Sequence, residues 1–240
     1  MKYLLKISYD GSKFNGFQRL NDQTGVQNEI ERVLKIIFKK DIQVKGAGRT
    51  DRGVHAYSQY AHFEGEYLME LSKLCYVMNR LLNPYIKILE IFEVKKDFHA
   101  RHSVKEKTYV YKVSFDDKNP FLSDYAYIMY QKPNLKKMKK ASKLFIGEHN
   151  YRNFVSGERD NYVSKINSLK IYKKNNFLIF EIKGQSFYRY MVRMIVGALL
   201  DVGLGKAEYL DIGLALNNFM VSKTFFVAPP EGLYLANIVY

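Results

Sequence analysis

The chain has 240 residues, 47 % of them hydrophobic, which suits one large domain or two ordinary ones and excludes a chain of disordered composition. Its 38 Lys and Arg against 24 Asp and Glu leave a net charge of +14, an excess that no fold requires and that points to polyanionic partners. The single cysteine, Cys75, excludes an intramolecular disulfide and a cysteine-based metal centre, and no apolar run approaches the roughly 20 residues of a membrane span.

Residues 2–9 alternate like a strand and end at the turn signal Asp10-Gly11. Their apolar run is too short for a signal sequence and lacks a small-residue cleavage site, so a soluble cytoplasmic protein is expected. Residues 24–38 read as a helix. Thr24 and Gln27 stand at capping-box spacing, and Val26, Ile30, Val33, Leu34 and Ile37 fall on one face. A loop dense in glycine and charge follows, from Gly46 to Gly53. Residues 56–64 read as a strand and 72–82 as a helix with Leu74, Val77, Met78 and Leu81 inward. Asn83-Pro84 stops that helix, and 85–94 is the next strand. This β-α-β-α-β order predicts an α+β unit with helices on one sheet face.

A second unit starts near Lys105, giving expected domains of 1–104 and 105–240. Residues 107–115 alternate strongly. Residues 135–146 predict a helix with Leu135, Met138, Ala141, Leu144 and Phe145 inward and Lys136, Lys137, Lys139, Lys140 and Lys143 outward. Such a lysine face is ordinarily just solvated, and the frequency of Lys, Asn, Ile and Tyr marks part of the charge as compositional bias. In an RNA-binding protein it is also a phosphate-contact surface. Residues 167–173 and 177–183 form a hairpin about Asn175-Asn176. Residues 187–202 and 207–218 are helices, and 233–239 is a final strand.

The stretch Gly46-Ala47-Gly48-Arg49-Thr50-Asp51-Arg52-Gly53-Val54-His55-Ala56 is the most unusual in the chain. Its glycines permit tight backbone geometry and close approach of a ligand. Arg49 and Arg52 flank Asp51, and neighbouring positive charge favours the ionised carboxylate. An anion held among arginines suits a nucleophile beside a phosphodiester. It equally suits an Asp-Arg pair that closes a surface loop.

Gly48-Arg49-Thr50-Asp51, extended by Gly53-Val54-His55, resembles the signature loop of the tRNA pseudouridine synthase A family. Further segments are similar in family order: Asp10-Gly11 with Phe17-Gln18 and Val26-Gln27; Asp97-Phe98-His99-Ala100-Arg101; Lys107-Thr108-Tyr109-Val110-Tyr111; Gly147-Glu148-His149-Asn150; Phe187-Tyr188 through Met191-Val192-Arg193 to Val196-Gly197; and Ala228-Pro229-Pro230-Glu231-Gly232-Leu233-Tyr234-Leu235. The likeness spans nearly the whole chain. One departure is Phe17, where the family usually has Trp; Phe keeps the apolar body, and little effect on the fold is expected.

The resemblance implies an α+β fold of two similar domains, each a mostly antiparallel sheet backed by helices, with a catalytic cleft between them. It makes Asp51 the catalytic aspartate and Arg49 a residue that holds a flipped nucleotide. It makes Tyr109 a stacking platform for the target base, Arg193 the partner of the aspartate, and Leu233 an apolar wall. By residue chemistry alone Tyr109 and Leu233 are equally ordinary core residues. Arg193, in an apolar helix, needs some partner in any case. The implied reaction is isomerisation of uridine to pseudouridine in the tRNA anticodon arm, at positions 38–40, by a homodimer using no cofactor and no metal. The competing readings are a relative acting on another RNA such as ribosomal RNA, a non-catalytic RNA-binding module, and an acid-dependent hydrolase. Gly203-Leu204-Gly205-Lys206-Ala207 lacks the Ser or Thr of a phosphate loop, Gly46-Ala47-Gly48 lacks the third glycine of a dinucleotide fingerprint, and the five histidines show no metal spacing. The histidines are expected to make hydrogen bonds or RNA contacts.

Overall fold

The computed structural model describes residues 1–21, 25–217 and 225–240. Thr24, the expected capping residue, and position 218, the expected end of the last helix, lie outside the described residues. The chain divides into two compact units, residues 1–105 with 234–240 and residues 106–233.

The first unit contains β1 (Lys2–Tyr9), α1 (Val26–Phe38), β2 (Lys45–Gly46), β3 (His55–Glu64), α2 (Leu71–Leu81) and β4 (Ile86–Val94). β1 lies between β3 and β4, antiparallel to both, with Leu5 opposite Ala61 on one side and Ile91 on the other. The outer edge of β3 is shared. Its start takes the C-terminal strand, Leu233–Val239, in parallel, with Tyr234 opposite His55. Its end takes β2 antiparallel, with Gly46 opposite Ala61. That parallel pairing is why residues 234–240 cluster with the first unit, whereas the order of elements along the sequence puts them with the second.

Strand alternation buries Tyr3, Leu5, Ile7 and Tyr9 of β1. Val26, Ile30, Val33 and Leu34 of α1 are all fully buried; each such side chain is worth about 1.5–3 kcal/mol on leaving water. Ile37 is only half-buried. Without a described Thr24 cap, the helix start is served by Asn28, whose Oδ1 accepts the Gly25 N–H at 3.2 Å. In α2 the expected inward Leu81 is exposed and Leu82 is buried instead. The helix stops at Leu81, and the extended backbone at Leu82 (φ −72°, ψ 152°) breaks the helical period and turns the next leucine inward.

The second unit contains β5 (Glu106–Ser114), β6 (Tyr127–Ile128), α3 (Leu135–Ser142), β7 (Gly147–Asn150), β8 (Val163–Lys174), β9 (Phe177–Gly184), α4 (Met191–Gly203) and α5 (Tyr209–Leu216). β9 lies antiparallel between β5 and β8, β7 extends the sheet beyond β8, and β6 pairs parallel with β5. Asn175 and Asn176, at φ 48° and 66°, make a two-residue left-handed turn whose twist matches the hairpin strands. α3 buries Met138, Ala141 and Ser142, while all five lysines of the 135–146 stretch are exposed. α4 starts at Met191 rather than 187 because Tyr190 is left-handed (φ 65°) and halts the helix there. No described helix is long and apolar enough to cross a membrane.

Candidate active site

In the first unit, the loop between β2 and β3 carries Asp51. The backbone turns at Gly53 (φ 79°), and the Asp51 carbonyl accepts the Val54 N–H at 3.1 Å. Asp51 is half-buried, and Arg49 and Arg52 are exposed. The loop is tied down from beneath by buried polar groups. The Tyr9 hydroxyl and Thr50 Oγ1 lie 2.8 Å apart. Gln59 Nε2 donates to the Gly48 carbonyl at 3.1 Å, and the Ala47 N–H donates to the Tyr60 carbonyl at 2.7 Å. Burial pushes the Tyr9 phenol up to about 12, with hydrogen bonds to Thr50 and Gln59 opposing that rise, so it stays neutral at physiological pH. Three buried polar side chains here would be cheaper as hydrocarbon unless the loop geometry needed them.

A second brace comes from α1. The Phe17 N–H donates to the Thr50 carbonyl at 3.2 Å. The carbonyls of Gly16 and Phe17 accept the first N–H groups of α1, from Val26 at 3.2 Å and Gln27 at 2.9 Å. Phe17 itself is buried against Tyr9, with ring centroids 6.3 Å apart. A phenyl ring therefore fills this position under the loop. At the loop's end Gly11 is pressed so closely on the Val54 carbonyl that a Cβ would lie 2.0 Å from its oxygen. The Gly11 N–H also donates to His55 Nδ1 at 3.1 Å. The Asp10-Gly11 turn is thus part of the loop's foundation.

Two further histidines also serve the backbone. His62 Nδ1 accepts the Ala100 N–H, and His99 Nδ1 accepts the Arg101 N–H, each at 3.1 Å. Burial, with His99, Lys2 and Lys45 adding positive charge, lowers His62 to about 4. In the unfolded chain it titrates near 6.5. Between those values the unfolded state binds a proton that the folded state refuses. The stability from neutral His62 is therefore complete above about pH 6.5 and is lost as pH falls toward 4, by an amount on the order of 2 kcal/mol. His62→Asn, which keeps an acceptor for Ala100, should flatten that acid limb in urea titrations between pH 4 and 7. A limb as steep as the wild type's would refute the assignment.

In the second unit, Tyr109 on β5 is buried and meets Phe187 edge to face, with centroids 5.0 Å apart. α4 is apolar on nearly every side, and Arg193 is half-buried on it. Its Nε donates to the Ala228 carbonyl at 2.6 Å, and its guanidinium lies 4.7 Å from the centre of the Tyr190 ring. The strip Arg193, Gly197, Asp201, one residue per turn, docks the segment 226–228. Ala228 N–H bonds to the Arg193 carbonyl at 3.2 Å, and Phe226 N–H to Asp201 Oδ2 at 3.1 Å. The next residues fasten to β5, with the Tyr111 hydroxyl donating to the Pro229 carbonyl at 2.8 Å. Leu233 follows directly and is buried. The same segment carries Glu231, which burial raises above the usual carboxylate range. Within each unit, then, Asp51 and Arg49 share one loop, Tyr109 packs against Phe187, and Arg193 holds the segment that leads to Leu233.

Sequence reasoning missed Tyr9, Gln59 and Asp201 as supporting residues. Asp201 left a trace, as the lone acid of an apolar helix.

Residues 6–103 and 141–240 match the family model described as tRNA pseudouridine synthase. The chain is 36 % identical over 242 residues to a tRNA pseudouridine synthase A 2 of Bacillus cereus, covering 99 % of both chains. It is 37 % identical over 240 residues to tRNA pseudouridine synthase A of Dictyoglomus turgidum, covering 98 % of both. It is 35 % identical over 237 residues to tRNA pseudouridine synthase A of Mycoplasmoides gallisepticum, covering 99 % of this chain and 90 % of that one.

Proposed function

The chain belongs to the tRNA pseudouridine synthase family, and from that premise we propose that it isomerises uridines of the tRNA anticodon arm, at positions 38–40, with Asp51 as the reacting carboxylate. The observation that carries this reading is the bracing of the Asp51 loop by buried Tyr9, Thr50 and Gln59. A loop that merely closed a surface would gain little from so many buried polar ties.

The reaction breaks the bond from uracil nitrogen to ribose carbon and rejoins the same ribose carbon to a ring carbon. The displaced ring-carbon proton is lost and the freed nitrogen gains one, so substrate and product have the same composition. No electron carrier enters the balance. The base first leaves the stack, which costs a few kcal/mol. Tyr109 is the platform on which its flat ring stacks, and stacking of a base on an aromatic ring is worth about 1–3 kcal/mol. Arg49 holds the extruded nucleotide through its phosphate. Arg193 supplies the cation for the carboxylate, and Leu233 keeps the base's surroundings apolar. The working form is a homodimer that grips one tRNA.

Incubating the purified protein with uridine-labelled tRNA transcript, without added cofactor, tests this directly. Pseudouridine should appear in the nucleoside digest and map to positions 38–40. In cells lacking the protein, loss confined to ribosomal RNA would sink the tRNA reading, and shortened RNA would indicate a hydrolase.

The brace makes a separate prediction. Tyr9→Phe removes one hydroxyl and leaves Thr50 short of a partner inside the protein, a cost of about 1–2 kcal/mol in stability. A small drift of the loop should lower kcat about tenfold or more, because sub-ångström misplacement of a reacting group is expensive. Affinity for tRNA should be unchanged. A kcat equal to the wild type's would show that the tie serves stability alone.

A further inference from the structure

Between Tyr125 and Gly147 the sequence has six lysines and no acidic residue. Five of them are carried by α3 and the 3-10 turn Lys143–Phe145 that continues it, and all five are exposed. At 100° per residue, Lys136, Lys139, Lys140 and Lys143 fall within an arc of about 100° and a length of about 10 Å. Among the described residues none of these four side chains forms an ion pair. The one partner of Lys140 among them is the neutral ring of Tyr209, 5.0 Å away.

The arrangement works against its own helix. Lys136 faces Lys139 and Lys140 at three and four residues' spacing, and Lys143 faces the same two. Each such like-charge pair weakens a helix. The helix survives because Met138, Ala141 and Ser142 are buried on the opposite face. A solvated surface helix ordinarily intersperses acids that relieve this repulsion. Here no described acid relieves it, so an outside polyanion would.

We propose that the lysine face of α3 is a docking surface for the phosphate backbone of tRNA. The inference rests on the tRNA reading above. Apart from the Tyr209 ring beside Lys140, the stripe consists of flexible point charges, which suit phosphates and carry no base readout, so the surface adds affinity and not sequence choice.

The test is a quadruple variant, Lys136→Gln, Lys139→Gln, Lys140→Gln and Lys143→Gln. It leaves the buried face intact, and glutamine is as good a helix former as lysine. A control removes the same charge from β8 by Lys165→Gln, Lys170→Gln, Lys173→Gln and Lys174→Gln, all at exposed positions. Binding of unmodified tRNA transcript is measured from about 50 to 200 mM salt, and turnover on the same transcript at one salt. The α3 variant should bind at least about tenfold more weakly, and the slope of log affinity against log salt should shrink by about 2–3. KM should rise with kcat unchanged. The control should change the slope by less than about 1. Equal losses in the two variants, or an unchanged slope in the α3 variant, would overturn the proposal. Absence of turnover in the unaltered protein would count against the tRNA isomerase reading alone, because the binding comparison stands without it.

Discussion

Asp51→Asn should leave a folded protein that binds tRNA normally and isomerises it at least about four orders of magnitude more slowly, the scale set by removing a nucleophile from an otherwise intact site. Asn keeps the shape of the side chain. Several contacts that hold the loop run through other atoms: Val54 bonds to the Asp51 main-chain carbonyl, and neighbouring ties run through Thr50 and Gly48. Removing the negative charge therefore removes chemistry and keeps these ties. Arg49 and Arg52 also remain, so electrostatic attraction for phosphate should not fall. Single-turnover conversion and equilibrium binding, measured on the same transcript, separate the two effects. Conversion within tenfold of the wild type would remove Asp51 from the centre of the mechanism. Asp51→Glu is a useful companion. It keeps the charge but moves it by one methylene, and an intermediate loss of about a hundredfold is expected if position matters as much as charge.

What the sequence made legible follows from how local each signal is. The buried face of α1 could be read from Val26, Ile30, Val33 and Leu34, because helical spacing alone determines it. The Asn175-Asn176 hairpin was equally plain, since both residues tolerate the left-handed backbone the turn requires. Errors appear where a helix ends. Helical spacing continued to residue 82 points Leu81 inward, but the backbone leaves the helix one residue sooner, and the left-handed Tyr190 delays the start of α4 beyond where its apolar pattern begins. β2 and β6, two residues each, are too short for alternation to mark, and so is the four-residue β7. The return of the C-terminal strand to β3 depends on pairing between residues almost 180 positions apart, which no local pattern encodes. The candidate site divides the same way. Asp51 and Arg49 stand out in a loop of unusual composition, whereas the Tyr9–Thr50 tie joins residues 41 positions apart. A buried tyrosine hydroxyl looks, in sequence, like any of the chain's other tyrosines.

Gly197→Ala should be the most destructive single methyl in the second unit. Gly197 stands midway along the strip of α4 that docks residues 226–228, with Arg193 one turn before it and Asp201 one turn after. A Cβ there would lie 1.6 Å from the Phe226 carbonyl oxygen. The obstructing atom is backbone, and that backbone is fixed on both sides, by Phe226 N–H on Asp201 and Ala228 N–H on Arg193. Relief would mean lifting the segment off the helix and giving up both bonds together with the Arg193–Ala228 contact. The expected loss is at least about 3 kcal/mol, above the usual range for overpacking and a large part of a normal folding free energy. Gly213, in α5, supplies the internal control, because a Cβ there meets nothing within 4 Å. Gly213→Ala should stabilise the protein by about 0.5–1 kcal/mol through better helix propensity and a less flexible unfolded chain. Urea titrations of the two variants should therefore move in opposite directions from the wild type. A mild effect at Gly197 would mean that the 226–228 segment yields easily. In that case Arg193, anchored through Ala228, could not be held firmly by it either.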